Sequence, residues 1–194
     1  MNIIEKIFEY PFLIKIFNQI LDDKSKIKLI SCSKIINQHK FKLRFNQMYF
    51  CVEEDQNKWF FNCLTNINTN RKIKISDSVT HLHYWCTSSF PNIISNKITH
   101  LNFGYDFDFP ISEYKDSKFV KSYIPNSVVH LSFPWNFSRE IIGLPNSLQY
   151  LKIYSGFCKI KELPKSLKYL MIHKKFKDVI KEMISEDAKI EFFC

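Results

Sequence analysis

From residue 79 onward, apolar and polar positions alternate in one six-residue phrase that is written five times. The copies run 79–84 (Val-Thr-His-Leu-His-Tyr), 98–103 (Ile-Thr-His-Leu-Asn-Phe), 128–133 (Val-Val-His-Leu-Ser-Phe), 148–153 (Leu-Gln-Tyr-Leu-Lys-Ile) and 167–172 (Leu-Lys-Tyr-Leu-Met-Ile). Each is apolar at its first, fourth and sixth positions. The fourth-position residues Leu82, Leu101, Leu131, Leu151 and Leu170 lie 19, 30, 20 and 19 residues apart. Alternation within a phrase predicts a short strand with one buried face. Its return about every twenty residues predicts that each strand is one coil of a solenoid with a parallel sheet.

The segments before the phrases repeat too: 95–97 (Ser-Asn-Lys), 124–127 (Ile-Pro-Asn-Ser), 144–147 (Leu-Pro-Asn-Ser) and 163–166 (Leu-Pro-Lys-Ser), with 76–78 (Ser-Asp-Ser) before the first. Proline presets φ near about −65° and Asn or Ser is expected to bond its own backbone, so each lead-in predicts a tight turn. Six residues past the marker leucine stands Phe107, Phe137, Phe157 or Phe176, with Phe90 displaced in the first copy. These rings are expected to return to the core on the far side of each coil. Turn, strand and returning Phe together resemble the FNIP repeat, a short variant of the leucine-rich repeat, over about residues 75–176.

The N-terminal pattern is different. Ile3, Ile4, Ile7 and Phe8 fall at helical spacing, and Phe12, Leu13, Ile16, Phe17 and Ile20 nearly encircle a second helix opened by Pro11. Asp22 and Asp23 are placed to cap the next helix, which carries Ile27, Leu29 and Ile30. Ile35, Ile36, Phe41, Leu43 and Phe45 predict a third helical segment running to about Asn46. Short greasy helices followed by a repeat array resemble the F-box domain. Pro11, Leu13, the Ile16-Phe17 pair, Leu21-Asp22-Asp23, Leu29 and Ser31-Cys32-Ser33-Lys34 carry that resemblance. Tyr10 stands where the family usually has Leu, and Ile36 near its usual Trp.

The expected class is therefore α+β: an F-box-like helical module over 1–48, a connector and N-terminal cap over 49–74, and repeats with a C-terminal cap over 75–194. In the connector, residues 48–52 suggest a strand, while Trp59-Phe60-Phe61 with Leu64 suggests a helix or a degenerate first repeat. Ile73 to Ile75 would begin a capping coil. The long spacing before Leu131 implies a charged insertion looped out near Ser112–Lys121. Ile190 to Phe192, 20 residues after Leu170, implies a closing strand.

Composition narrows the function classes. The chain is 45% apolar and 24% charged, with a net charge of +9 that reads +5, +1 and +3 over residues 1–50, 51–155 and 156–194. Abundant Ile, Lys, Asn and Phe suit an A/T-rich genome, which weakens the case that the positive charge serves a nucleic acid. Six cysteines occur without a C-x-x-C pair or matching His spacing, so buried thiols in a reducing compartment are expected and zinc is not. No apolar run approaches a membrane span, and no signal peptide is read at Met1 to Glu9, so an intracellular protein of cytoplasm or nucleus is expected. Three scattered glycines make no phosphate cradle, G-x-S-x-G is absent and Cys32 has no His base, so neither catalysis nor a cofactor is expected.

In the predicted strands the third and fifth positions face outward. They are His81/His83, His100/Asn102, His130/Ser132, Tyr150/Lys152 and Tyr169/Met171, a column of flat rings beside a mixed polar column. Side chains stacked in one column lack the convergence a metal needs; they read either as plain exposed repeat positions or as a face that binds a protein target, and the second is the site expected here. The F-box resemblance implies docking to a Skp1-like adaptor through Pro11, Leu13, Ile16, Phe17, Leu21, Leu29 and Cys32. The protein would then be a substrate-recognition adaptor of an SCF-type ubiquitin ligase, monomeric outside that assembly. A solenoid without a ubiquitin role and a basic nucleic-acid binder are the alternatives.

Overall fold

A computed structural model describes residues 11–32, 43–45, 49–50, 66–69, 75, 77–85, 94–115 and 118–194. Its centre is one parallel sheet whose strands follow the repeated phrase. The strands are β1 (Tyr49–Phe50), β2 (Asn66–Thr69), β3 (His81–Tyr84), β4 (His100–Phe103), β7 (His130–Phe133), β9 (Tyr150–Ile153), β11 (Tyr169–His173) and β12 (Lys189–Phe193). They lie side by side in that order. The marker positions pair in register from Ile67 through Leu82, Leu101, Leu131, Leu151 and Leu170 to Ile190. Across the five phrases every first, fourth and sixth residue is at most 3% exposed. The expected closing strand at Ile190 is present, and β2 adds a strand that the apolar pattern did not mark.

Two devices hold the coils at this spacing. Four of the five lead-ins close a turn, with the N–H of Ile98, Val128, Leu148 and Leu167 donating to the carbonyl three residues back at 3.0–3.2 Å. Ser95 meets the expectation, accepting the Lys97 N–H at 3.2 Å, but three other turn serines depart from it. Ser127, Ser147 and Ser166 do not bond their own backbone; their hydroxyls donate to Ile98 O, Val128 O and Leu148 O of the preceding coil at 2.6–2.8 Å. A buried coil edge needs partners for its carbonyls, and a serine one coil along supplies them.

Behind the sheet runs a spine of rings. Phe103 stacks on Phe107 at 3.8 Å and Phe133 on Phe137 at 4.6 Å, while Phe107 and Phe137 face each other at 6.0 Å. The returning-Phe expectation holds for Phe107, Phe137 and Phe176 and fails for Phe157, which is 75% exposed. The cause is a shorter coil. Ile160 of β10 (Lys159–Ile160) pairs with Ile141 of β8 (Glu140–Ile141), yet lies nine residues after Leu151 where Ile141 lies ten after Leu131. Buried Ser155 and Cys158 fill that space, and Phe157 turns out under the Lys175 ammonium at 5.6 Å. Burial pushes the Cys158 thiol up to about 11, which makes it inert. Cys194, by contrast, is exposed, against the expectation of buried thiols. Phe90 lies outside the described residues.

The charged insertion is a hairpin, not an irregular loop. β5 (Ser112–Lys115) pairs antiparallel with β6 (Lys118–Ser122), Glu113 meets Lys121 at 3.1 Å, and Tyr114 packs edge-on to Phe119. Phe119 also folds over Gly143, where φ is 68° and a Cβ would come within 2.4 Å of the ring. Only glycine serves both demands.

At the N-terminus, α1 (Pro11–Ile20) and α2 (Asp23–Cys32) lie where two of the helices were expected. Asp22 caps α2 by accepting the Ser25 N–H at 2.6 Å. Lys26 is fully buried, its ammonium shared between Asp23 Oδ1 at 3.1 Å and Arg44 O at 2.7 Å. Arg44 N in turn donates to Asn18 Oδ1 at 2.7 Å. Leu43–Phe45 is therefore an extended strap tied to both helices, with Phe45 in an isolated bridge. Over residues 43–45 this replaces the expected helix, because polar ties to the strap satisfy its backbone in extended form. The lead-in helix before Pro11 and the segment 33–42 fall outside the described residues, and a complete F-box module is not shown. The solenoid is shown; few helices accompany it. No helix among the described residues is long and apolar enough to cross a membrane.

Candidate functional site

The outward third positions make a continuous stack. His81 lies on His100 at 3.9 Å and 15°, His100 on His130 at 4.0 Å and 10°, and His130 on Tyr150 at 4.2 Å and 2°. Parallel strands place these side chains about 4.8 Å apart, and slight tilting closes them to van der Waals contact. The stack loosens at Tyr169, which is 6.4 Å from Tyr150 and tilted. Tyr169 instead donates its hydroxyl to Glu191 Oε2 at 2.5 Å, and the hydrogen bond to that carboxylate raises its pKa.

Second-position threonines hold the rings upright. Thr80 Oγ1 meets His81 Nδ1 and Thr99 Oγ1 meets His100 Nδ1, both at 2.9 Å. Thr99 Oγ1 also donates to Thr80 O at 3.2 Å, which uses its single proton. It must therefore accept from His100 Nδ1, and the hydrogen-bond directions assign the imidazole proton to Nδ1. His100 Nε2 is left as a lone-pair acceptor.

These imidazoles are held neutral. Desolvation between neighbouring rings lowers His81 and His83. Desolvation and the flanking His81 and His130 push His100 down to about 4. His130 is lowered by desolvation first, then by His81 and by Lys152. A stack of neutral rings at 4 Å is attractive, whereas charged ones would repel.

Beside this column lies an open cleft of about 330 Å³. The ring stack lines one side and His83, Asn102, Ser132 and Lys152 of the fifth positions the other, with Leu82, Leu101 and Leu131 between them and Tyr154 also in the lining. Ser132 Oγ donates to Asn102 Oδ1, so the Asn102 amide presents its N–H donors. The cleft thus offers the His100 Nε2 acceptor, an amide donor and one ammonium, with no carboxylate among its lining residues. Among the described residues no three His, Cys, Asp or Glu side chains group as a metal site requires.

Of the outward residues named from sequence, Tyr169 and Met171 do not line the cleft, and the rest do. Of the helix residues, Ile16 and Leu21 are half-buried; the side chains of Pro11, Leu13, Phe17, Leu29 and Cys32 lie outside the described set. Sequence reasoning missed Tyr154 and the cluster around it. Tyr154 stacks with Trp135 at 5.9 Å, and Phe193 meets Trp135 edge-on at 5.2 Å and His173 at 5.5 Å. These residues stand just past the sixth position or end the last strand, where the alternating pattern has stopped. Their signal was the aromatic character of 135, 154 and 193 alone.

The FNIP repeat model matches residues 116–155, which include β6, β7, β8 and β9. Among solved structures the chain is similar to the crystal structure of CroV588, described as a novel circular LRR protein structure, at 28% identity and a TM-score of 0.45. That likeness covers 68% of this chain and 24% of the other, so the chain spans about a quarter of its length. No curated protein matches. The chain is a parallel-sheet solenoid that carries an FNIP repeat at residues 116–155.

Proposed function

We propose that this protein is a recognition module that binds a protein partner through the concave cleft. The observation that supports it is the rigid stack from His81 to Tyr150 along one wall of that cleft. Flat rings locked by neighbours and by threonine hydroxyls lose little entropy when a partner docks, and exposed edges with polar tips suit protein interfaces. Stacking gives the sheet only about 0.2–1 kcal/mol per cross-strand pair, a modest gain beside what rigid rings offer a partner. His130→Ser with Tyr150→Ser is expected to weaken a purified partner about tenfold in calorimetry, about 1.4 kcal/mol. Stability should change by about 1 kcal/mol or less. Normal binding with an early melt would make the stack purely structural.

The adaptor reading adds a second contact. In α1 and α2, Ile20 is 75% and Ile27 is 55% exposed, more apolar surface than two short helices leave bare without use. Through this surface the module would couple its target to a Skp1-like adaptor and so to ubiquitin transfer by other subunits. Ile20→Asp with Ile27→Asp should abolish capture of a purified Skp1-type protein while the cleft still binds its partner. Undiminished capture by the double variant removes the ligase role and leaves a recognition solenoid.

A further inference from the structure

The polar groups of the cleft stand in an order that specifies an occupant. His100 and Asn102 are the first and third residues of β4 and share its outward side. Thr99 fixes the His100 proton on Nδ1, so Nε2 accepts; Ser132 holds the Asn102 carbonyl oxygen, so the amide N–H groups are left to donate. An acceptor and a donor about 7 Å apart along one strand answer the N–H and C=O of a chain laid across them.

Two strands further on, in register through Ser132, stands Lys152. Two strand spacings are about 10 Å, the length of about three extended residues. Lys152 is exposed and forms no ion pair among the described residues. Its ammonium is within Coulomb reach of the ring column, since His130 is lowered by desolvation first, then by His81 and by Lys152. With this ammonium and no carboxylate in its lining, the cleft is complementary to an anionic group and repels a cationic one.

Beside Lys152 the cleft meets a corner of aromatic rings. Tyr154 stands two residues after Lys152 and also lines the cleft. It stacks with Trp135 at 5.9 Å, and Trp135 is 51% exposed. A half-open indole next to an ammonium fits an apolar side chain that neighbours an acidic one.

We propose that the cleft, whose recognition role this presupposes, takes an extended acidic segment of the partner protein. Backbone groups of the segment meet His100 and Asn102, and an Asp or Glu carboxylate about three residues away meets Lys152. An apolar side chain beside that carboxylate packs on Trp135 and Tyr154. The charge pair sets orientation and specificity, while the rings supply rigid contact area.

Panning the full chain against random peptides displayed on phage tests this. The expected result is enrichment of peptides with Asp or Glu beside an apolar residue. Lys152→Glu should invert the choice to Lys or Arg at that place and weaken the selected acidic peptides at least about tenfold. An unfolded variant loses binding but cannot reverse a charge preference. Trp135→Ala should keep the acidic preference and erase the apolar one; a retained apolar preference overturns the aromatic corner. Acidic peptides that Lys152→Glu selects equally well assign the preference to the overall charge of +9 and overturn the proposal. Enrichment with no acidic preference overturns it too and leaves the cleft a recognition site. No enrichment at all overturns an extended segment as occupant. The recognition role itself is judged separately, by the His130→Ser, Tyr150→Ser variant against a purified partner.

Discussion

Leu131→Ala is expected to lower stability by about 2–5 kcal/mol, enough to unfold the central coils. Leu131 is 3% exposed and sits in register between Leu101 and Leu151, above the Phe133–Phe137 pair. Removing its branched end opens a cavity that two flanking coils cannot close, because the serine hydroxyls of residues 127 and 147 fix their spacing. In a solenoid each coil is stabilised chiefly by its neighbours, so a weak middle coil uncouples both halves. Ile190→Ala provides the contrast. It alters the same position in the last strand, where the side chain is only partly buried, so the cost should be about 1–2 kcal/mol. Urea melts of both variants measure the difference. Equal losses, or a Leu131→Ala loss below about 1 kcal/mol, would mean that the core register is not the one described.

That contrast shows why the sheet was legible and its surroundings less so. Burial at the first, fourth and sixth positions follows from alternation alone, and five phrases repeating it left no freedom in the register. β2 escaped notice because its sixth position is Thr69 and its flanking positions are Asn66 and Asn68; it pairs in register with β3. Phe157 was misplaced because spacing from the marker leucine does not register a coil one residue shorter on its return side. The strap at Leu43–Phe45 defeated a helical pattern through partners far away in sequence: Asn18 and the buried ammonium of Lys26. The ring column of the site could be named from sequence. Its stacking, its threonine props and the Trp135–Tyr154–Phe193 cluster depend on how strongly the coils curve, which no single phrase encodes.

The stack should also make the solenoid acid-sensitive. His81, His83, His100 and His130 all have folded-state pKa values below the ordinary histidine value of 6.5, in each case first because of desolvation. A lowered histidine pKa means that the unfolded chain binds the proton more readily than the folded one. Stability is therefore fully present above about pH 6.5 and is lost as pH falls toward about 4, the His100 value. The His100 shift alone corresponds to at most about 3 kcal/mol; water in the open cleft screens it to about 1–2 kcal/mol. Two exposed carboxylates, Asp22 and Asp178, also have lowered values, each set first by a side-chain hydrogen bond, to Ser25 and to Lys181. Their window begins below the ordinary carboxylate value of 3.8, so among the described residues the loss between pH 6.5 and 4.5 falls to these histidines. Thermal melts at pH 7.5 and 4.5 should thus differ by several degrees, with the lower Tm in acid. His100→Phe keeps a ring between His81 and His130 but removes the most shifted proton site and relieves both neighbours. It should hold Tm at pH 7.5 within a few degrees and shrink the acid loss by about half. An acid loss of the same size in His100→Phe would place the sensitive groups outside the cleft, and the stacked imidazoles would then be neutral spacers with no part in the response.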